Sequence, residues 1–163
     1  MSKFVVIAAF WFLIFSANSS VAKEWHGIVP LRSTREDVRK RLGIPNRQYE
    51  IFDDYDLEGY SVSVLYATDN CEGPLRYWWG TYRVSPGTVL SITVEFDEFI
   101  PSSKFKIPNL PRLKKGDPDH TLTVDYFDAE RGIQYSVQDK KVSEVEYGPS
   151  ATDASLRCVP RNR

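Results

Sequence analysis

Carboxylates and histidines are the residues of this chain best suited to bind a metal ion or move a proton. Asp54, Asp56, Glu58 and Gly59 occupy positions 1, 3, 5 and 6 of the calcium-loop pattern. Position 12 of that pattern requires a bidentate Glu, and Leu65 stands there instead. The stretch therefore predicts a solvated turn before a strand, and we expect no metal site.

The chain contains two histidines, His26 and His120. His120 ends the segment Gly-Asp-Pro-Asp-His, where Asp117 and Asp119 are nearby, but such segments are typical of turns and the ligand spacing of a zinc site is absent. No nucleophile elbow or other local catalytic signature occurs. We therefore expect no catalytic residue and no cofactor, and an enzyme is the less favoured alternative.

An aromatic run, from Tyr77 to Tyr82, is the first candidate for a recognition surface. On a strand, Trp78 and Tyr82 would share one face, and Tyr77 and Trp79 would share the other. An exposed pair of this kind can stack on sugar rings or on an apolar protein surface. The alternative is that both faces are covered, since tryptophan is usually well buried.

The stretch from Ser33 to Gly43 predicts a short capped helix. Ser33 and Glu36 have the spacing of a capping box. Val38 and Leu42 lie one turn apart and form a narrow apolar stripe. Gly43 supplies the residue that most often ends a helix. The stripe must be buried against a larger element, because so short a helix is marginal alone.

Basic residues give the same helix a second candidate surface. Arg35 and Arg39 lie one turn apart, and Lys40 and Arg41 extend the charge around the helix. Such basic runs usually form a solvated helix face, but they could also bind an acidic partner.

Alternation of apolar and polar residues predicts the sheet. Strands are expected at 60–66 and 90–96, and a β-hairpin is expected to turn at Asp139-Lys140. The range 101–118 contains four prolines and is expected to be a long exposed loop between two sheet-forming halves. The predicted class is α+β, with one or two short helices packed on a mainly antiparallel β-sheet.

The first 22 residues have the composition of a secretory signal peptide, which leaves a single domain at 23–163. The apolar run is too short to span a bilayer. The two cysteines, Cys71 and Cys158, are expected to form a disulfide in an oxidising compartment, periplasmic or extracellular; free thiols or a catalytic cysteine are the alternatives. The formal charge of −1 gives no reason to expect nucleic acid as a partner.

A family resemblance rests on the helix and its exit. Ser33, Thr34, Val38 and the Leu-Gly-Ile-Pro stretch that ends at Pro45 resemble the start of the helix-plus-sheet modules of the SmpA/OmlA (BamE-like) family and of the related β-lactamase-inhibitor-like fold. The stretches 25–38 and 132–158 also resemble a group of small, signal-bearing bacterial proteins of unknown function. The first resemblance implies helices that cover an antiparallel sheet.

Together these features predict an exported, non-enzymatic module that binds an envelope or extracellular protein. The alternative function is binding of a glycan or cell-wall fragment through Trp78, Trp79 and Tyr82.

Overall fold

The computed structural model describes residues 23–68, 71, 81–105, 107, 112–113 and 123–158. Within these ranges eight strands form one antiparallel sheet in the order β1-β2-β3-β4-β8-β7-β6-β5. The strands are β1 (Arg47–Gln48), β2 (Phe52–Leu57), β3 (Tyr60–Tyr66), β4 (Val89–Pro101), β5 (Arg112–Leu113), β6 (Val124–Asp128), β7 (Ile133–Gln138) and β8 (Lys141–Tyr147). The expected mainly antiparallel sheet is confirmed, and β4 and β8 join its two halves into a single layer.

The helix α1 (Arg35–Leu42) begins one residue later than the capping pattern suggested. Its N-cap is Thr34, whose hydroxyl accepts from the Asp37 N–H at 3.3 Å, while the Asp37 carboxylate accepts from the Thr34 N–H at 2.9 Å. The prediction of Ser33 as the cap was therefore wrong. Its hydroxyl is already used, because it accepts from the Val29 N–H at 2.9 Å in the preceding turn.

The N-terminal end of α1 is fastened to the start of β4. The Leu31 N–H donates to the Val89 carbonyl at 2.7 Å, and the Arg35 N–H donates to the Gly87 carbonyl at 2.9 Å. The Val89 N–H in turn donates to the Ser33 carbonyl at 2.8 Å. These backbone bonds fix the position of the helix before its side chains contribute.

Two tight turns connect neighbouring strands as the sequence suggested. Asp139 and Lys140 join β7 to β8 with positive φ angles of 49° and 63°, the conformation that matches the twist of a two-residue hairpin. Gly59, with a φ of 86°, lies in the turn that connects β2 to β3. The first two carboxylates of the calcium-like pattern, Asp54 and Asp56, lie within β2, so the prediction of a turn was wrong for them. The turn is confined to Glu58 and Gly59. The described residues hold no cluster of three or more metal-ligating side chains.

The hydrophobic core has two main clusters on the sheet. One contains Val38 of α1 with side chains from β2, β3 and β4, and the other is formed mostly by β7 and β8. Phe96 and Tyr147 pack against both clusters and link them. The two outermost strands, β1 and β5, have two residues each, which leaves little open sheet edge for unwanted pairing.

The range 101–118 is more ordered in part than the expected loop. It includes a 3₁₀ helix, Ser102–Phe105, and strand β5, while Ile107 is buried in the second core cluster. Pro101 ends β4. Residues 106, 108–111 and 114–118, like residues 1–22, lie outside the described residues. Among the helices of the described ranges, none is long and apolar enough to cross a membrane.

Candidate functional site

Arg35, one of the predicted surface residues, turns into the protein. Its Nε lies 3.2 Å from an Asp53 carboxylate oxygen, and Asp53 is fully buried. The Arg35 guanidinium carbon also lies 4.3 Å from the centre of the Tyr66 ring. The other end of the guanidinium donates to the carbonyls of Tyr49 and Glu50 at 2.8 and 3.1 Å. Arg35 therefore joins α1 to the turn between β1 and β2 and to β3.

Two buried phenols accompany this ion pair. Burial raises the pKa of Tyr66 and of Tyr55, and the negative charge of Asp53 raises both further. Neither hydroxyl makes a well-aligned hydrogen bond within the described part of the chain, nor do the Asp53 oxygens. The group is closed to solvent, since Asp53, Tyr55 and Tyr66 are each at most 2 % exposed. It holds the helix on the sheet rather than offering a group to a substrate.

The opposite end of α1 leads into an exposed segment, residues 39–49, which we call the corner. Ile44 lies directly after Gly43 and is 93 % exposed, the highest value of any large apolar residue described. Tyr49 follows β1 and is 45 % exposed. The Tyr49 ring stacks on Phe52 at 4.2 Å between centroids, with 25° between the planes. The corner thus presents one aliphatic and one rigid aromatic side chain to solvent.

The charge of the corner is entirely positive. Residues 39–49 include Arg39, Lys40, Arg41 and Arg47, all exposed, and no Asp or Glu. Arg41 is partly engaged, because it donates to the His26 carbonyl at 3.5 Å. Arg39, Lys40 and Arg47 have no hydrogen bond or ion pair to the described residues. Three cationic groups of the segment that exposes Ile44 and Tyr49 therefore remain available.

The predicted disulfide is confirmed. Cys71 and Cys158 are bonded across a sequence separation of 87 residues. Nearby, the Arg157 Nε–H donates to the Tyr82 hydroxyl at 3.3 Å, and the two residues also form an isolated β-bridge. Asp153, which is 2 % exposed, pairs with Arg32 at 3.3 Å. The C-terminal 3₁₀ helix, Ala151–Leu156, is thereby held against the body of the protein.

The three predicted recognition residues that the structure describes, Tyr82, Arg35 and Arg39, do not share one exposed surface. Tyr82 is 3 % exposed, so its ring does not face solvent. Trp78 and Trp79 lie outside the described residues. Arg35 forms an ion pair with the buried Asp53. Of the predicted recognition residues, Arg39 alone belongs to the exposed corner.

Two important residues were missed by the sequence reasoning. Asp53 precedes the calcium-like stretch and alternates in step with the buried Tyr55, which was the available signal that it would be buried. The sequence pattern identifies Ile44 only as part of the exit from the helix. Its position between Gly43 and Pro45, with no apolar partner on either side, was the available signal that it would project into solvent.

Comparisons with known proteins bear on the fold. No protein-family model matches the chain, and a search of the curated proteins finds no match. Among solved structures, the chain is similar to a DUF4309 family protein (YjgB) from Bacillus subtilis subsp. subtilis str. 168, with a TM-score of 0.50 and 16 % sequence identity. The likeness covers 78 % of this chain and 86 % of that chain. At this identity it shows a shared fold, and the resemblance to SmpA/OmlA modules stays a prediction.

Proposed function

We propose that this chain is an exported, non-enzymatic protein-interaction module that binds its partner through the corner. The observation that carries the proposal is the 93 % exposure of Ile44, in a segment that also exposes Tyr49 and four cationic side chains. Covering an isoleucine side chain contributes roughly 1.5–3 kcal/mol, which a partner gains by docking there. Tyr and Arg are also the residues most enriched where binding energy concentrates in protein interfaces.

The corner is held in place before any partner arrives. The bonds from Arg35 to the Tyr49 and Glu50 carbonyls tie the β1–β2 turn to α1. The stacking of Tyr49 on Phe52 restricts the exposed ring. A surface that is ordered in advance loses less conformational entropy on association, so a small contact area can still bind specifically.

Export is supported by two independent features. The disulfide is compatible with an oxidising compartment, where such bonds persist. The first 22 residues carry the composition of a signal peptide. A periplasmic or extracellular location follows as part of the proposal, and the partner would then be an envelope or extracellular protein.

Affinity capture with matched variants tests the proposal. The mature chain is immobilised and exposed to an envelope extract, in parallel with Ile44→Ser and with Phe99→Ser, which alters an exposed apolar residue of β4. Wild type and Phe99→Ser should retain the same protein, and Ile44→Ser should lose most of it. Equal recovery by all three chains would contradict the proposal, as would hydrolytic turnover by the pure protein.

Glycan binding remains a prediction from the sequence. It rests on Trp78 and Trp79, and the third aromatic residue of that hypothesis, Tyr82, is buried. Titration of the intrinsic tryptophan fluorescence with peptidoglycan fragments would decide it. A saturable change in emission would favour a glycan ligand, and unchanged spectra would remove the idea.

A further inference from the structure

The basic surface of the corner has defined boundaries. Arg39 and Lys40 leave the last turns of α1, and Arg47 lies in β1. The acidic residues of α1, Glu36 and Asp37, lie in its first turn, whereas its last turn is basic. A negatively charged partner is therefore attracted to the C-terminal end of the helix, where Ile44 is exposed, rather than to its N-terminal end.

We infer that the partner docks through a protein segment that combines carboxylates with an apolar side chain. This rests on the proposed function and adds the chemistry of the partner. The apolar side chain covers Ile44, which follows the basic last turn of α1, while the carboxylates face Arg39, Lys40 and Arg47. Guanidinium groups suit this pairing, because their planar fork matches a carboxylate in two parallel hydrogen bonds.

The corner fits a protein segment better than a membrane surface. Within the corner, Ile44 is the single aliphatic side chain that projects fully, and Tyr49 is stacked on Phe52, which keeps its ring from inserting into lipid. Burial of one aliphatic side chain falls far short of stable anchoring in a bilayer. An exposed tyrosine and exposed arginines in one segment are instead typical of protein interfaces.

Photo-cross-linking from the corner tests the inference. The full chain carries Ile44→benzoylphenylalanine, an exchange that the exposure of this position should accommodate without loss of folding. After irradiation in an envelope preparation, mass spectrometry identifies the cross-linked peptide. The probe should attach to a protein segment with net negative charge and an apolar residue at or beside the point of attachment.

Charge reversal provides the second arm. In the same probe-bearing chain, Arg39→Glu with Arg47→Glu should lower the adduct yield about tenfold, since attraction becomes repulsion. Lys104→Glu with Lys140→Glu makes the same change in net charge at exposed sites elsewhere and should leave the yield unchanged.

The outcomes separate the inference from the proposed function. Attachment to a neutral or basic protein segment, or equal losses in the two charge-reversed chains, would overturn the inference and leave the interaction module standing. Attachment to lipid alone, or no adduct at all, would overturn both.

Discussion

The two ends of α1 use the same kind of residue for opposite purposes. At the N-terminal end, Arg35 enters the protein, pairs with the fully buried Asp53 and contacts the Tyr66 ring. At the C-terminal end, Arg39 stays in solvent near the exposed Ile44. The two arginines are one turn apart in the helix. They differ in their surroundings, because the Arg35 side chain meets a buried carboxylate and the Arg39 side chain meets solvent.

This difference shows that the charge run is not one functional unit. A buried ion pair seldom adds much stability over a well-packed apolar pair, but removing one partner alone is costly because the other charge is left in the interior. Exposed cations contribute little to stability and are free to meet a partner. The buried end therefore maintains the fold, and the corner is the part available for recognition.

The largest expected effect comes from breaking the buried end. Arg35→Met leaves Asp53 unpaired at 0 % exposure and should lower the free energy of unfolding by about 3–5 kcal/mol. Arg39→Met, the matched change at the exposed arginine, should stay within about 0.5 kcal/mol of wild type. Urea unfolding of the two variants checks the contrast. Similar midpoints for both would remove the distinction between the two ends.

A large but different effect is expected from the disulfide. The double substitution Cys71→Ala with Cys158→Ala removes a disulfide that spans 87 residues of sequence. It should lower the free energy of unfolding by about 2–4 kcal/mol. The contacts that hold the corner, those of Arg35 and Phe52, do not involve the C-terminal region, so capture of the partner at low temperature should persist. Loss of capture in a chain that circular dichroism shows to be folded would mean that the binding surface depends on the C-terminal region.

A smaller effect is expected at the helix cap. Thr34→Ala removes the hydroxyl that accepts from the Asp37 N–H. This change should lower the free energy of unfolding by about 1 kcal/mol. Thr68→Ala changes an exposed threonine outside any helix and serves as the control. A lower thermal midpoint in Thr34→Ala alone would support the assigned cap, whereas equal midpoints in the two variants would reject it.

The smallest effect at neutral pH is expected for Tyr66→Phe, because the hydroxyl makes no well-aligned hydrogen bond within the described ranges. The Tyr66 hydroxyl affects stability at alkaline pH. Burial raises the pKa of Tyr66 above 10.0 in the folded chain, so ionisation favours the unfolded chain once the pH passes about 10. Stability should fall above that pH, and less steeply in Tyr66→Phe. Parallel curves for wild type and variant would contradict this.

Much of the fold was within reach of the sequence, because its signals are local. Alternation identified the strands from Tyr60 to Tyr66 and from Leu90 to Phe96, and the turn at Asp139-Lys140 was placed correctly. The helix was found, although the cap was assigned one residue early. Local pattern could not show that the Ser33 hydroxyl bonds the Val29 N–H instead.

The candidate site was harder to predict, because its signals are not local. Whether Arg35 or Arg39 remains in solvent depends on Asp53, which reaches the helix only after β2 has folded against it. The exposure of Ile44 is likewise a property of the assembled corner. Sequence spacing indicates which residues can share a helix face, but it does not show what that face will meet.

The adduct yields from probes at two exposed apolar positions show most directly whether the corner binds the partner. Ile44→benzoylphenylalanine places the probe in the corner, and Phe99→benzoylphenylalanine places it on β4, where the native ring is 44 % exposed. Both full chains are irradiated in the same envelope preparation, and covalent protein adducts are quantified. If the corner binds the partner, the yield at position 44 should be at least several times that at position 99. Equal yields, or more adduct at position 99, would contradict it.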